Sequence, residues 1–332
     1  MRTSQNNWGF RCCVALPTLV AAMLIAAPTE AAIIVDDSWA DGGKDDGVDP
    51  QDSNWWTSSS SSGIEVSLGS LGLVTGGSGR GIHTVFPTQT LTNVGDRLVA
   101  TYTFTTPATV RPAGTAAFRV GLFDTLGRGG LNADVPSSSG SPNALYGWGT
   151  GAGGPGTAGL PGYLMDMDVG SGTEDLNFRE HDSGTVNPTG RLMGTTTGFT
   201  NVPSSGPDGA YTIVPNTTYT GSVSITRSGA TEMELTGTLG AATHTVTDAF
   251  DSANFGFLGF WVNSNVFGSS STPNTPDNGI DFSNVTIEFL PIPEPSTAAI
   301  ALVAAVAAGA VRRRGRRGIL RVRSRTSATL RV

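Results

Sequence analysis

Short segments in which apolar and polar residues alternate dominate the middle of this chain, and they restrict its fold more than any other feature. In Arg97–Thr105, the residues Leu98, Ala100, Tyr102 and Phe104 fall on one strand face and threonines occupy much of the other. Clusters of Gly, Pro, Asn and Ser separate such segments, as turns require. The pattern predicts an all-β fold, built as an antiparallel two-sheet β-sandwich. The other predicted strands are Ile82–Phe86, Ala117–Phe123, Gly162–Val169, Leu176–Glu180, Thr218–Thr226, Glu232–Leu239, Phe255–Val262 and Ile280–Phe289.

The N-terminus has the parts of a secretion signal. A polar start that contains arginine precedes the mainly apolar stretch Cys12–Ala27, and Thr29-Glu30-Ala31 then places small residues at the −3 and −1 positions of a cleavage site. We therefore predict a helical signal peptide over residues 1–31. Both cysteines, Cys12 and Cys13, leave with this peptide, so the exported part is expected to hold no disulfide and no cysteine-bound metal.

The C-terminus contains a second apolar segment, Thr297 to Val311, directly after Pro293-Glu294-Pro295. As a helix, this segment is about 22 Å long, shorter than the hydrocarbon core of about 30 Å. A transmembrane helix over 297–311 is therefore marginal and suits transient insertion. Five arginines follow it and are expected to stay cytoplasmic under the positive-inside rule. This basic cluster comprises Arg312, Arg313, Arg314, Arg316 and Arg317.

These three parts, in this order, resemble the PEP-CTERM sorting signal of bacteria that make exopolysaccharide. The resemblance implies that Pro293, Glu294 and Pro295 are recognised by an exosortase, a membrane protease of transpeptidase type. The chain departs from the usual pattern because it continues beyond the arginines as a basic tail, residues 318–332, which is predicted to be cytoplasmic. The expected organisation is a signal peptide (1–31), an ectodomain (32–292), the sorting signal (293–317) and this tail.

The charge of the predicted ectodomain excludes one class of partner. Residues 32–292 contain 9 basic and 25 acidic side chains, a net charge of −16, although the whole chain has only −7. Such a domain repels nucleic acid and anionic membrane surfaces. The predicted location is therefore outside the cytoplasm: first at the cytoplasmic membrane, at least transiently, and then at the cell surface or in the extracellular matrix, with exopolysaccharide as an expected partner.

A second resemblance concerns the ectodomain itself. The tryptophan-containing stretch from Asp37 to Trp56, together with the closing segment Phe282–Phe289, resembles ectodomains attached to PEP-CTERM signals, whose folds look like the concanavalin-A-like jelly roll of legume lectins and laminarinases. In that fold the first and last strands commonly pair. The resemblance therefore implies that Ile64–Leu68 lies beside Ile280–Phe289.

Two carboxylates are candidates for chemistry. Asp166 and Asp168 alternate along one predicted strand and so share a face. Jelly-roll laminarinases carry a Glu-x-Asp-x-x-Glu strand motif, whereas the corresponding stretch here ends at Ser171 and lacks both glutamates, so no catalytic residue is assigned. Two interpretations of the pair stay open: a solvated polar strand face, or a calcium site. No other cofactor is expected.

Exposed tryptophans are candidates for sugar stacking, because sugar rings pack flat against aromatic faces. Trp55, Trp56 and Trp148 occur in loop-like contexts and are the candidate glycan-binding residues. Structural packing is the alternative for the adjacent pair, since neighbouring strand residues face opposite ways and one of them usually points inward.

The sequence thus predicts a non-enzymatic, membrane-sorted surface or extracellular-matrix protein with weak affinity for glycans. Two alternatives stay open. One is a secreted glycoside hydrolase or polysaccharide lyase of jelly-roll type, and the other is a purely structural matrix component without a ligand.

Overall fold

Fifteen β-strands form the part of the chain that the structure describes. The computed structural model describes residues 30–45, 52–57, 63–75, 79–111, 113–127, 134, 160–169, 176–181, 192–194, 199–203, 211–263 and 266–292. The strands are β1 (Ala32–Asp37), β2 (Trp56–Thr57), β3 (Ile64–Ser67), β4 (Ser70–Val74), β5 (Arg80–Thr90), β6 (Arg97–Thr105), β7 (Ala113–Phe123), β8 (Gly162–Val169), β9 (Leu176–His181), β10 (Thr200–Asn201), β11 (Thr218–Arg227), β12 (Glu232–Leu239), β13 (Ala242–Ala249), β14 (Asn254–Val262) and β15 (Gly279–Leu290).

The strands make two antiparallel sheets. Sheet A has the order β13-β12-β11-β6-β15-β4-β3, with β1 also paired to β15, and sheet B has the order β10-β9-β8-β7-β14-β5-β2. The chain crosses repeatedly from one sheet to the other, as in β5 to β6 and β14 to β15, so neighbours in a sheet are mostly distant in sequence. The predicted all-β, two-sheet antiparallel sandwich of jelly-roll type is confirmed.

Aromatic side chains fill the space between the sheets. The ring of Phe260 on β14 lies 5.3 Å from Tyr102 on β6 and 4.7 Å from Phe282 on β15. Phe104 and Phe118 meet edge to face at 5.1 Å across the same layer. Burying one such ring contributes about 1.5–3 kcal/mol. These contacts join strands of both sheets, so the aromatic layer holds the two sheets together.

The alternation identified in the sequence locates several strands closely. β6, β8 and β12 have the predicted bounds, and the apolar residues predicted to share one face of β6 are all buried. The expected position of Ile64–Leu68 directly beside Ile280–Phe289 was wrong, because β4 lies between these two segments. Ile64–Ser67 pairs with β4, and β4 in turn pairs with β15, because Leu68 and Gly69 turn the chain back on itself. Gly69 has a φ of 80°, a conformation that glycine adopts without strain.

The two ends of the described sandwich lie side by side, since Ala32 on β1 pairs with Phe289 on β15. Ile292 is tied down by its backbone N–H, which donates to Asp96 Oδ1 at 2.8 Å. Within the residues described, there is no helix of the length and apolarity needed to cross a membrane. The predicted signal peptide through residue 29, the sorting motif, the helix over 297–311, the arginine cluster and the basic tail lie outside the described residues.

Candidate functional site

The candidate residues of strand β8 belong to the face of sheet B that points away from the core. Met165 and Met167 pack into the core between the sheets, so Asp166 points the other way. The register aligns Asp166 with Arg119 on β7 and with Asn177 on β9. We call this side the outer face of sheet B. It is defined by Trp56, His83, Arg119, Phe123, Asp166, Arg179, Asn201, Phe257 and Trp261. Most of it is itself buried, because Phe123, Phe257 and Trp261 pack in a second apolar cluster with Leu164, Leu192 and Met193.

Asp166 is the centre of a buried polar network. Arg119 Nε donates to its Oδ1 at 2.9 Å, and Arg179 Nε donates to its Oδ2. A second nitrogen of each guanidinium group also donates a hydrogen bond. Arg119 donates to the carbonyl of Met193, and Arg179 donates to Asn201 Oδ1. Burial lowers the pKa of Arg119, and the attraction of Asp166 opposes that shift. The network therefore joins β7, β8, β9 and β10 across the outer face.

Asp166 is buried and ion-paired with two arginines, so it is neither a solvated residue of a polar strand face nor an open ligand for calcium. Both carboxylate oxygens accept from arginines, and two guanidinium charges beside them repel a cation. Asp168 is half-buried, and its backbone carbonyl accepts the Tyr211 hydroxyl at 2.8 Å. In the part of the chain that the structure describes, no three or more His, Cys, Asp or Glu side chains cluster so as to hold a metal ion.

The adjacent tryptophans have opposite environments. Trp55 is fully buried, and its ring lies 5.7 Å from Trp39 and 6.2 Å from Phe260. The prediction that Trp55 stacks on a sugar is therefore wrong, because strand alternation points its ring into the core. Trp56 points to the outer face and is half-buried. Trp148 lies outside the described residues.

A carboxylate holds Trp55 in place. Asp37 on β1 accepts the indole Nε1–H of Trp55 at 2.6 Å and the backbone N–H of Trp39 at 2.9 Å. Burial raises the pKa of Asp37 to about 6, a shift that nearby Asp52 reinforces and these two hydrogen bonds oppose. Asp37 thus links β1 to the side chain of Trp55.

Aromatic rings lie beside Trp56 on the same face of sheet B. Its ring lies 5.7 Å from the imidazole of His83, which in turn stacks on Phe257 at 5.0 Å. Phe257 and Phe123 then meet edge to face at 5.9 Å. These rings lead from the sheet edge toward the polar network, which begins one strand beyond Phe257, on β7 with Arg119.

Sequence reasoning missed His83, Phe257, Arg119 and Arg179 as parts of this face. One usable signal was present: Arg119 interrupts the apolar strand Ala117–Phe123 at a position where a charge needs a partner. The identity of that partner depends on strand register, because Arg119 and Asp166 are 47 positions apart.

No protein-family model and no curated protein matches the chain. Among solved structures, the metal-free carbohydrate recognition domain of Emp46p matches at 9% identity and a TM-score of 0.42, over 70% of this chain and 87% of that one. An endo-1,3-β-glucanase from Streptomyces sioyaensis matches at 13% identity and a TM-score of 0.40, over 80% of this chain and 99% of that one. Winged bean acidic lectin, in complex with methyl-α-D-galactose, matches at 8% identity and a TM-score of 0.40, over 79% of this chain and 99% of that one. Likenesses this distant carry no argument about ligand or activity.

Proposed function

We propose that this chain is an exported, non-enzymatic protein of the cell surface or extracellular matrix that binds glycans on the outer face of sheet B. The observation that carries the proposal is the half-buried indole of Trp56, with His83 beside it and Phe257 stacked on His83. An indole held in this way offers a flat apolar surface at little cost in side-chain entropy.

The environment of Asp166 is unsuited to glycoside hydrolysis. A glycosidase of two-carboxylate type needs one carboxylate to attack or activate water and another to donate a proton. Asp166 accepts from arginines at both oxygens and is 2% exposed, so it is poorly placed for either role. Asp166 is therefore assigned no catalytic role in the proposed function.

Glycan binding is tested by affinity gel electrophoresis of the purified protein in gels that contain neutral or anionic polysaccharides. We expect the wild-type protein to be retarded by at least one neutral polysaccharide. Trp56→Ala is expected to weaken the apparent affinity about tenfold, because an aromatic stacking surface is lost, whereas Trp56→Phe retains much of it. Equal mobility of wild type and Trp56→Ala in every gel would contradict the proposal.

The proposed route of export rests on the terminal segments. β1 begins at Ala32, directly after the predicted cleavage site, and β15 ends at Leu290, before Pro293. Removal of residues 1–31 and of the segment from 293 onward therefore takes away no strand of the described sandwich. This agreement supports processing at both ends, with a signal peptidase and an exosortase as the partners and the membrane as the site.

Processing is tested by intact-mass spectrometry of the protein recovered from a bacterium that has an exosortase. The expected product begins at Ala32 and lacks the arginine-rich C-terminus. A variant with Pro293, Glu294 and Pro295 all changed to alanine is expected to keep that C-terminus and to stay in the membrane fraction. Recovery of the full-length wild-type chain from the cytosol would contradict the proposed route.

A further inference from the structure

The face of sheet A that points away from the core carries hydroxyl side chains in register across adjacent strands. One row runs over five strands, from β13 to β15. It consists of Thr243, Thr238, Ser222, Thr101 and Thr286. Shorter rows flank it, namely Thr245, Thr236 and Ser224 on one side, and Thr220 with Thr103, then Thr218 with Thr105, on the other. We call these rows the hydroxyl face. With strands about 4.8 Å apart, the longest row spans about 19 Å.

Hydrogen bonds hold the hydroxyls in fixed positions. Thr103 and Thr220 are joined at 3.1 Å, and Thr236 and Thr245 are joined at 3.1 Å. Ser222 and Thr238 pair in the same way at 2.8 Å. Each pair uses one of its two protons, so the other proton and several lone pairs are available to a ligand. The face therefore presents ordered donors and acceptors on stiff, β-branched side chains.

Strand propensity accounts for threonine on this face, but it does not account for the distribution of charge. The rows from β13 to β6 contain no ionisable side chain among their described members, although the predicted ectodomain has a net charge of −16. Charged residues lie at the borders instead. Asp281 and Glu288 on β15 end two of these rows, and Asp36 on β1 pairs with Thr286 at the end of the longest row. The next row contains Glu234 and also Arg97. A neutral field with a mainly acidic border matches an uncharged polymer and repels an anionic one.

We propose that the hydroxyl face is a second binding surface, on which a neutral, hydroxyl-rich polysaccharide lies flat across the strands. The surface is separate from Trp56, because the two sheets turn their outer faces in opposite directions. This inference rests on the proposed glycan binding and deepens it, since it assigns the class of glycan. Two surfaces on opposite sides also allow one molecule to contact two polysaccharide chains, which suits a matrix component.

Isosteric substitutions test this surface without damage to the fold. The variant Thr103→Val, Thr220→Val, Thr236→Val, Thr245→Val removes both partners of two hydrogen-bonded pairs and keeps the β-branched shape, a change that is close to neutral for stability. We expect an unchanged melting temperature and an affinity for neutral polysaccharide about tenfold lower, the effect of losing several ligand hydrogen bonds. The matched control is Thr88→Val, Thr212→Val, at exposed positions outside the face.

The outcomes separate this inference from the proposed function. Retention by neutral polysaccharides that falls in the four-residue variant but not in the control supports the hydroxyl face. If Trp56→Ala loses binding while the four-residue variant binds as wild type does, the hydroxyl face is refuted and the proposed function stands. Retention by anionic polysaccharides alone also refutes the hydroxyl face. Absence of retention by any polysaccharide refutes both.

Discussion

Changing Asp166 to alanine is expected to lower the free energy of unfolding by about 3–5 kcal/mol, the usual cost of leaving buried charges without their partner. Arg119 is the main cause, because its side chain is 7% exposed and cannot turn to water, whereas Arg179 at 20% can do so in part. In a domain of this size, such a loss lowers the melting temperature by about 10 °C. Urea denaturation at neutral pH measures the change in the free energy of unfolding.

Asp168→Ala is the matched control for Asp166→Ala, because it removes the same group from the same strand at a half-buried position. Its effect is expected to stay below about 1 kcal/mol. Substituting Arg119→Met together with Asp166→Leu should recover most of the lost stability, since apolar replacement of a buried ion pair is often neutral. Equal stability of the two alanine variants would show that the arginine network is unimportant for folding.

Changing Trp55 to alanine is the second substitution with a large expected effect. Trp55 is completely buried between Trp39 and Phe260, so its truncation is expected to cost about 3–5 kcal/mol. The loss also removes the indole N–H from Asp37, a buried carboxylate whose pKa burial already raises to about 6. Thermal unfolding followed by circular dichroism measures the change.

Two comparisons separate the causes of this loss. Trp55→Phe keeps most of the apolar volume but not the hydrogen bond, and is expected to cost about 1–3 kcal/mol. Trp56→Ala, one residue along the strand, is expected to cost about 1 kcal/mol because that ring is only half-buried. If Trp56→Ala destabilised the protein as much as Trp55→Ala, Trp56 would be a packing residue and the proposed binding surface would be lost.

The sequence predicted strands best where large apolar residues alternate with polar ones. β6 has Leu98, Tyr102 and Phe104 on one face, and its predicted bounds agree with the structure. β13 was missed although threonines alternate regularly along it, because Val246 is the only large aliphatic residue on its buried face. The short strands β2 and β10 are set by their neighbours and have no sequence pattern of their own.

The candidate site was predictable only in part, for a related reason. Alternation correctly placed Asp166 on the side of β8 opposite the core residues Met165 and Met167, but not its burial there. It also indicated that one of the two adjacent tryptophans points inward, without deciding which one. The partners of Asp166 lie 47 and 13 positions away, and their meeting depends on the pairing of three strands. Local pattern contains no information on that register, so a structural ion network was indistinguishable from a metal site.

Tryptophan fluorescence during titration with a neutral oligosaccharide is the decisive measurement of glycan binding at Trp56. Trp39 and Trp55 are buried in the core and Trp261 is 7% exposed, so among the described tryptophans Trp56 is the one that a bound sugar contacts most directly, and Trp56→Phe identifies its share of the signal. The account predicts a saturable blue shift of the wild-type emission that is absent in Trp56→Phe. A shift of the same size and midpoint in Trp56→Phe, or no shift with any neutral glycan tested, would contradict it.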